Sequence, residues 1–139
     1  MKLNPSLSVP ASPDVRHLLD VNLLLAAIWA NHPQHAKAFA WLSGKNVILC
    51  PLSELGFLRI STNKKAINAP MEKARDLLKQ FEIDRKAVRI TDDLQALDSH
   101  PAKSEGVTDH YLADLAVLHG ARLATFDQNI THSSVDVIV

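Results

Sequence analysis

The sequence predicts an α/β domain built on a mainly parallel sheet with helices on both faces. Three observations predict it. Short runs of strand character alternate with helical patterns along the chain. The strand runs are nearly continuous in apolar residues, as strands buried on both faces are. Aliphatic side chains and Ala supply most of the apolar content, with aromatics at only 5%, which suits helices packed closely on a sheet.

The elements follow in order. Residues 1–15 are rich in Pro and Ser, lack the apolar core of a secretion signal, and read as a flexible N-terminal extension before a single domain at 16–139. His17–Leu19 is the end of a first strand, leading into Asp20. Asn22–Ala30 reads as a helix, broken at Asn31-His32-Pro33. Gln34–Leu42 resumes it, with Ala36, Phe39, Ala40 and Trp41 as candidate buried positions and Gly44 as its stop. Val47–Cys50 is a strand closed by Pro51, and Leu52–Ser61 is helical. Met71–Phe81 is a further helix, with Ala74, Leu77, Leu78 and Phe81 at helical spacing. Val88–Ile90 is a short strand and Asp92–Leu97 a short helix. Thr108–His119 is a helix with Thr108 as N-cap and Gly120 at its end, and Leu123–Phe126 and Val135–Val139 are the last strands.

Bulk numbers exclude several function classes. With 15 basic and 15 acidic residues the formal charge is zero, so the chain is not a basic coat for nucleic acid, and positive potential must come from a local patch or a bound metal. Neutrality also favours association. The single cysteine, Cys50, permits no intramolecular disulfide and sits in an apolar run as a core residue. No apolar stretch approaches the roughly 18 residues that span a membrane, so a reducing cytoplasm is the expected address.

Four acids carry the chemistry. Ligands of parallel sheets bind beyond the carboxyl ends of the strands. Asp20 follows the first strand, Glu54 begins the helix after the second, and Asp127 stands just past the strand ending near Thr125. At about 100° per residue, Asp109 shares a helix side with Leu112, Ala113 and Ala116, whereas Asp114 lies about 140° away, facing water. Each acid has a plain alternative: helix capping for Asp20, the positive end of a helix for Glu54 and Asp109, a turn for Asp127. Together they point to a divalent cation, because clustered carboxylates directed toward an apolar interior repel one another until one binds. Hard oxygen donors suit Mg²⁺, or Mn²⁺ in its place, and the matching chemistry is phosphodiester hydrolysis by a metal-activated water.

Other chemistry is weaker in the sequence. His32 and His35 lack Cys partners for zinc, and His110 points away from Asp109 toward solvent. No nucleophile elbow or Gly-rich phosphate loop occurs. A phosphatase with a nucleophilic Asp would place a second Asp two residues after Asp20, where Asn22 stands; Asn22 reads as a group orienting Asp20 or substrate, or as a helix cap. Arg59, Lys64 and Lys65 are candidate RNA contacts, alternatively an ordinary solvated face, and Trp29 and Trp41 read as packing residues.

Four segments in order resemble the PIN-domain ribonucleases, in particular VapC-type toxins of bacterial toxin–antitoxin pairs. They are Leu18-Leu19-Asp20-Val21-Asn22-Leu23-Leu24, Ser53-Glu54-Leu55-Gly56-Phe57-Leu58-Arg59-Ile60, Thr108-Asp109-His110-Tyr111-Leu112-Ala113-Asp114-Leu115-Ala116 and His119-Gly120-Ala121-Arg122-Leu123-Ala124-Thr125-Phe126-Asp127. The resemblance spans residues 17–139. It implies a three-layer α/β/α sandwich, Mg²⁺-dependent endoribonuclease activity, a homodimer, and a cognate antitoxin that occupies or perturbs the acidic pocket. It further implies that Asp20, Asp109 and Asp127 hold metal, that Glu54 binds metal or positions water, and that Thr125 takes a supporting polar position. A catalytically inactive PIN-like module that binds RNA or protein is the alternative. The chain departs from the family in its longer N-terminal extension and in Gln128-Asn129-Ile130 after the last Asp.

Overall fold

The computed structural model describes residues 15–139. The expectation for residues 1–15 therefore falls outside the described residues, apart from Val15, which is exposed and whose carbonyl accepts from the Asn46 amide at 3.4 Å. The strands are β1 (Arg16–Leu19), β2 (Asn46–Leu49), β3 (Val88–Arg89), β4 (Arg122–Thr125) and β5 (Val135–Val137). The helices are α1 (Val21–Ile28), α2 (His35–Leu42), α3 (Pro51–Thr62), α4 (Met71–Arg85) and α5 (Val107–Leu118). The strands form one five-stranded sheet in the order β3-β2-β1-β4-β5, and every neighbouring pair is parallel.

Period-2 alternation splits the strand side chains between two cores. Leu19, Val47, Leu49, Ala124 and Ile138 face α1, α2, α3 and α4, whereas Leu18, Ile48, Cys50 and Leu123 face α5. Both faces are covered, which is why the strands read as continuous apolar runs.

Three local expectations are corrected. The buried residues of α2 are Ala38 and Leu42; Ala36, Phe39 and Ala40 are exposed and Trp41 is half-buried. Ala38 lets α2 approach α1 closely. The Phe39 ring turns outward under Arg85 at 5.2 Å, whereas the Trp41 ring packs against the edge of the core beside buried His17, with Lys45 over it at 4.7 Å. The span Asp92–Leu97 is not a helix; only a 3₁₀ turn at Ala96–Asp98 forms. The Asp92 carboxylate is engaged elsewhere, accepting from the Leu52 N–H at 3.1 Å. Thr108 lies inside α5 rather than capping it, because the helix starts at Val107 behind Gly106 and a 3₁₀ turn.

Where α1 crosses α3 the contact demands glycine. A Cβ on Gly56 would stand 2.5 Å from a γ-methyl of Val21, a β-branched side chain with little room to turn. Gly56→Ala is therefore expected to destabilise the domain by about 1–3 kcal/mol. A urea melt checks this, and a midpoint equal to the parent's would contradict the close contact.

Candidate functional site

The strand order reverses direction of growth between β1 and β4, the place where open parallel sheets form a crevice. Two of the acids stand there. Asp20 follows β1, and its backbone N–H donates to Ala124 of β4 at 3.2 Å. Its carboxylate then caps α1, accepting from the Leu23 N–H at 2.8 Å. Capping and site membership are thus one placement, since the cap turns the chain while holding the carboxylate at the strand end. The Thr125 hydroxyl donates to the other oxygen of Asp20 and accepts from the Asp127 N–H at 3.0 Å. Thr125 is fully buried, so this hydroxyl ties Asp20 to the turn that presents Asp127. Asp127 in turn accepts from the Asn129 N–H at 2.8 Å.

Asp109 completes the group from the first turn of α5, whose Leu112, Ala113 and Ala116 are buried on the sheet as helix phase requires. Burial pushes the Asp20 carboxyl up to about 7; its bonds from Thr125 and Leu23 oppose this, and the charges of Asp109 and Asp127 add to it. Burial likewise raises Asp109, with Asp127 adding to it. These three acids are therefore within electrostatic reach of one another.

Glu54 answers to a different set of neighbours. It is half-buried in the first turn of α3. Burial raises its carboxyl, as do a hydrogen bond and the charge of Glu82 on α4; Arg89 opposes and Asp92 reinforces. Ser53 beside it is buried, donating to the Leu19 carbonyl at 2.9 Å and locking α3 to the end of β1. Asn22 is exposed, and Asp20 takes its orienting bonds from Leu23 and Thr125. Arg59, Lys64 and Lys65 are exposed around the C-terminal half of α3 and the turn beyond it.

The sequence reading missed the partners of Glu54. Glu82 stands just past the helix read at Met71–Phe81 and Asp92 at the start of the short helix read at Asp92–Leu97, and neither carries a local signal of its neighbour. It also placed His110 and Asp114 in water. Both are half-buried and joined to His132: His132 Nε2 to Asp114 Oδ1 is 2.7 Å and His110 Nδ1 to Asp114 Oδ2 is 3.2 Å. The i,i+4 spacing of His110 and Asp114 was a readable signal, whereas His132 had none.

Among the described residues, these three offer ligand atoms all within 4.8 Å of one another. Yet the Ser134 N–H donates to His132 Nδ1 at 3.0 Å, which places the ring proton on Nε2, facing Asp114. A metal-ligating imidazole normally does the reverse and donates from its second nitrogen. This cluster is a hydrogen-bonded strut between α5 and the segment before β5. The Asp20–Asp109–Asp127 group fits a hard divalent cation better, because all its donors are carboxylate oxygens and their mutual repulsion is relieved by positive charge. Cys50 takes no part: it is fully buried, and burial pushes its thiol up to about 11.

A three-layer parallel α/β sandwich with carboxylates gathered at its topological switch point defines an α/β domain with an acidic centre. The chain belongs to the PIN-domain family, whose model matches residues 17–136. It is 35% identical to Ribonuclease VapC38 of Mycobacterium tuberculosis over 121 residues, 81% of this chain and 86% of that protein. It is 34% identical to Ribonuclease VapC44 of the same organism over 132 residues, covering 87% of this chain and 92% of the relative. Ribonuclease VapC39 is 31% identical over 132 residues, 84% and 92% of the two chains. Among the described residues no helix is long and apolar enough to cross a membrane.

Proposed function

We propose that this chain is a Mg²⁺- or Mn²⁺-dependent endoribonuclease that acts in the cytoplasm as the toxin of a toxin–antitoxin pair. The observation that carries the reading is the convergence of Asp20, Asp109 and Asp127 at the β1–β4 switch point, with two of the three carboxyls raised by burial and mutual charge. The names of the VapC relatives support the ribonuclease activity. Asp20, Asp109 and Asp127 would hold the ion. When bound, it would supply charge neutralisation at the scissile phosphate and a nucleophilic water at neutral pH. Thr125 holds the Asp20 oxygen in place, and Leu23 fixes the other oxygen, so the carboxylate is oriented before substrate arrives. Glu54, set apart beside Glu82, has the role of positioning the attacking water or a further ion from the α3 side. Arg59, Lys64 and Lys65 contact RNA phosphates, and Asn22 at the exposed start of α1 contacts substrate. A cognate antitoxin covers the acidic pocket, and the chain forms a homodimer.

The test uses partner-free protein and a structured RNA, with Mg²⁺, with Mn²⁺ and with EDTA. Cleavage in either metal, abolished by EDTA and by Asp109→Asn, is the expected result. RNA that is bound but left intact in both metals would make the chain a binding module instead.

A further inference from the structure

The acidic centre handles a phosphodiester, a group that every RNA shares. Between α3, α5 and the segment after β3 lies a cavity of about 400 Å³, within the size range of small-ligand sites. Leu52 lines it from the first turn of α3, Asp92 and Leu94 from the segment after β3, and Val107, Thr108 and Tyr111 from the start of α5. Thr108 directly precedes Asp109, and Leu52 lies two residues before Glu54. The cavity therefore opens between the two helix starts that carry acids of the proposed site. Cavities of about 610 and 470 Å³ run along α4, and neither is lined by α5.

The walls of the smaller cavity are fixed. The Tyr111 hydroxyl donates to the Leu94 carbonyl at 2.6 Å, and Asp92 accepts from the Leu52 N–H at 3.1 Å. The ring and the carboxylate are thus held before a ligand enters, which lowers the cost of binding. No Lys or Arg lines the cavity among the described residues, so its one ionic group is the Asp92 carboxylate. That charge repels a phosphate and attracts neutral N–H donors. Mostly apolar walls, one aromatic ring, the Ser99 and Thr108 hydroxyls and one carboxylate describe a seat for an unstacked nucleobase, the form in which single-stranded RNA is read. A carboxylate accepts two parallel donors, and among the four RNA bases guanine offers them side by side, at N1 and N2.

We propose that this cavity is a base subsite that seats an unpaired guanine flanking the scissile phosphate, with Asp92 as the residue that reads it. The inference rests on the RNA substrate proposed above and adds a specificity determinant to it.

The test is binding, measured apart from cutting. Full-length Asp20→Asn protein in Mg²⁺ is titrated into short unstructured fluorescent RNAs that differ at one position: guanine, inosine or adenine. Guanine RNA is expected to bind about tenfold tighter than adenine RNA, with inosine, which lacks the N2 amine, between them. Adding Asp92→Asn should erase the preference, since an amide offers one acceptor where the carboxylate offers two. Val107→Trp, at an exposed lining position, should block the cavity and reduce guanine RNA to the adenine level. Equal affinities for the three RNAs, or a preference that survives both substitutions, would overturn the subsite; no RNA binding by this variant and by the wild-type protein alike would overturn it together with the RNA reading on which it rests. Guanine-selective binding by a wild-type protein that cuts nothing would instead remove the nuclease reading and leave the subsite standing.

Discussion

Asp20→Asn is expected to lower metal-dependent RNA cleavage at least about 100-fold, since losing even a supporting group around a metal costs roughly 10–100-fold. The same substitution should make the metal-free protein more stable at pH 8. The Asp20 carboxyl is raised from 3.8 to about 7, chiefly by burial. Between these values the folded protein holds a proton that the unfolded chain has released. Stability therefore falls as pH rises from about 4 to 7 and levels off above that, with a total penalty of up to roughly 4 kcal/mol. An amide carries no such penalty and still accepts a hydrogen bond from Leu23. Urea melts in EDTA at pH 5 and pH 8 should show a pH-dependent loss in the parent that is largely absent in the variant. Mg²⁺ should restore stability to the parent at pH 8 and do little for the variant. Parallel pH profiles for the two proteins would mean that the Asp20 charge is not confined as described.

Phe57→Ala is expected to cost about 3–5 kcal/mol, the largest loss of any single change considered. Phe57 is 0% exposed on α3, and its ring stacks with Trp29 at 6.4 Å between centroids, with the planes 15° apart. Trp29 is anchored in turn, its Nε1–H donating to Ser61 at 2.9 Å. Truncation opens a hole where α1 meets α3, and a domain of ordinary stability has only about 5–15 kcal/mol in total. The variant should therefore unfold at markedly lower urea, with Phe57→Leu losing less because it fills part of the space. A loss below about 1 kcal/mol would mean that the site collapses freely around the missing ring.

The two readings of the molecule, from sequence and from structure, agree where the physics is local. Strands at Val47 and Leu123, the buried positions Ala74, Leu78 and Phe81 of α4, and the inward side of α5 all follow from apolar period. The positions of Asp20 and Asp127 at the carboxyl ends of strands were legible because each stands just past an apolar run. The errors arose where a distant partner outweighed local pattern. Phe39 was read as core on its apolar character, yet Arg85 covers it from outside and Ala38 takes the inner position. Asp92 was read into a helix, yet it serves the start of α3, forty residues earlier in the chain.

The chain's own sequence determined the parallel α/β layering, the order of the motifs and which acids stand at strand ends, because hydrophobic period and capping act over a few residues. Tertiary structure alone decided that Thr125 bridges Asp20 to the turn of Asp127, that Glu54 pairs with Glu82, and that His132 reaches Asp114. Each of those contacts joins segments that meet only after the sheet closes. Burial and charge at such meetings depend on three-dimensional distance, which spacing along the chain does not encode.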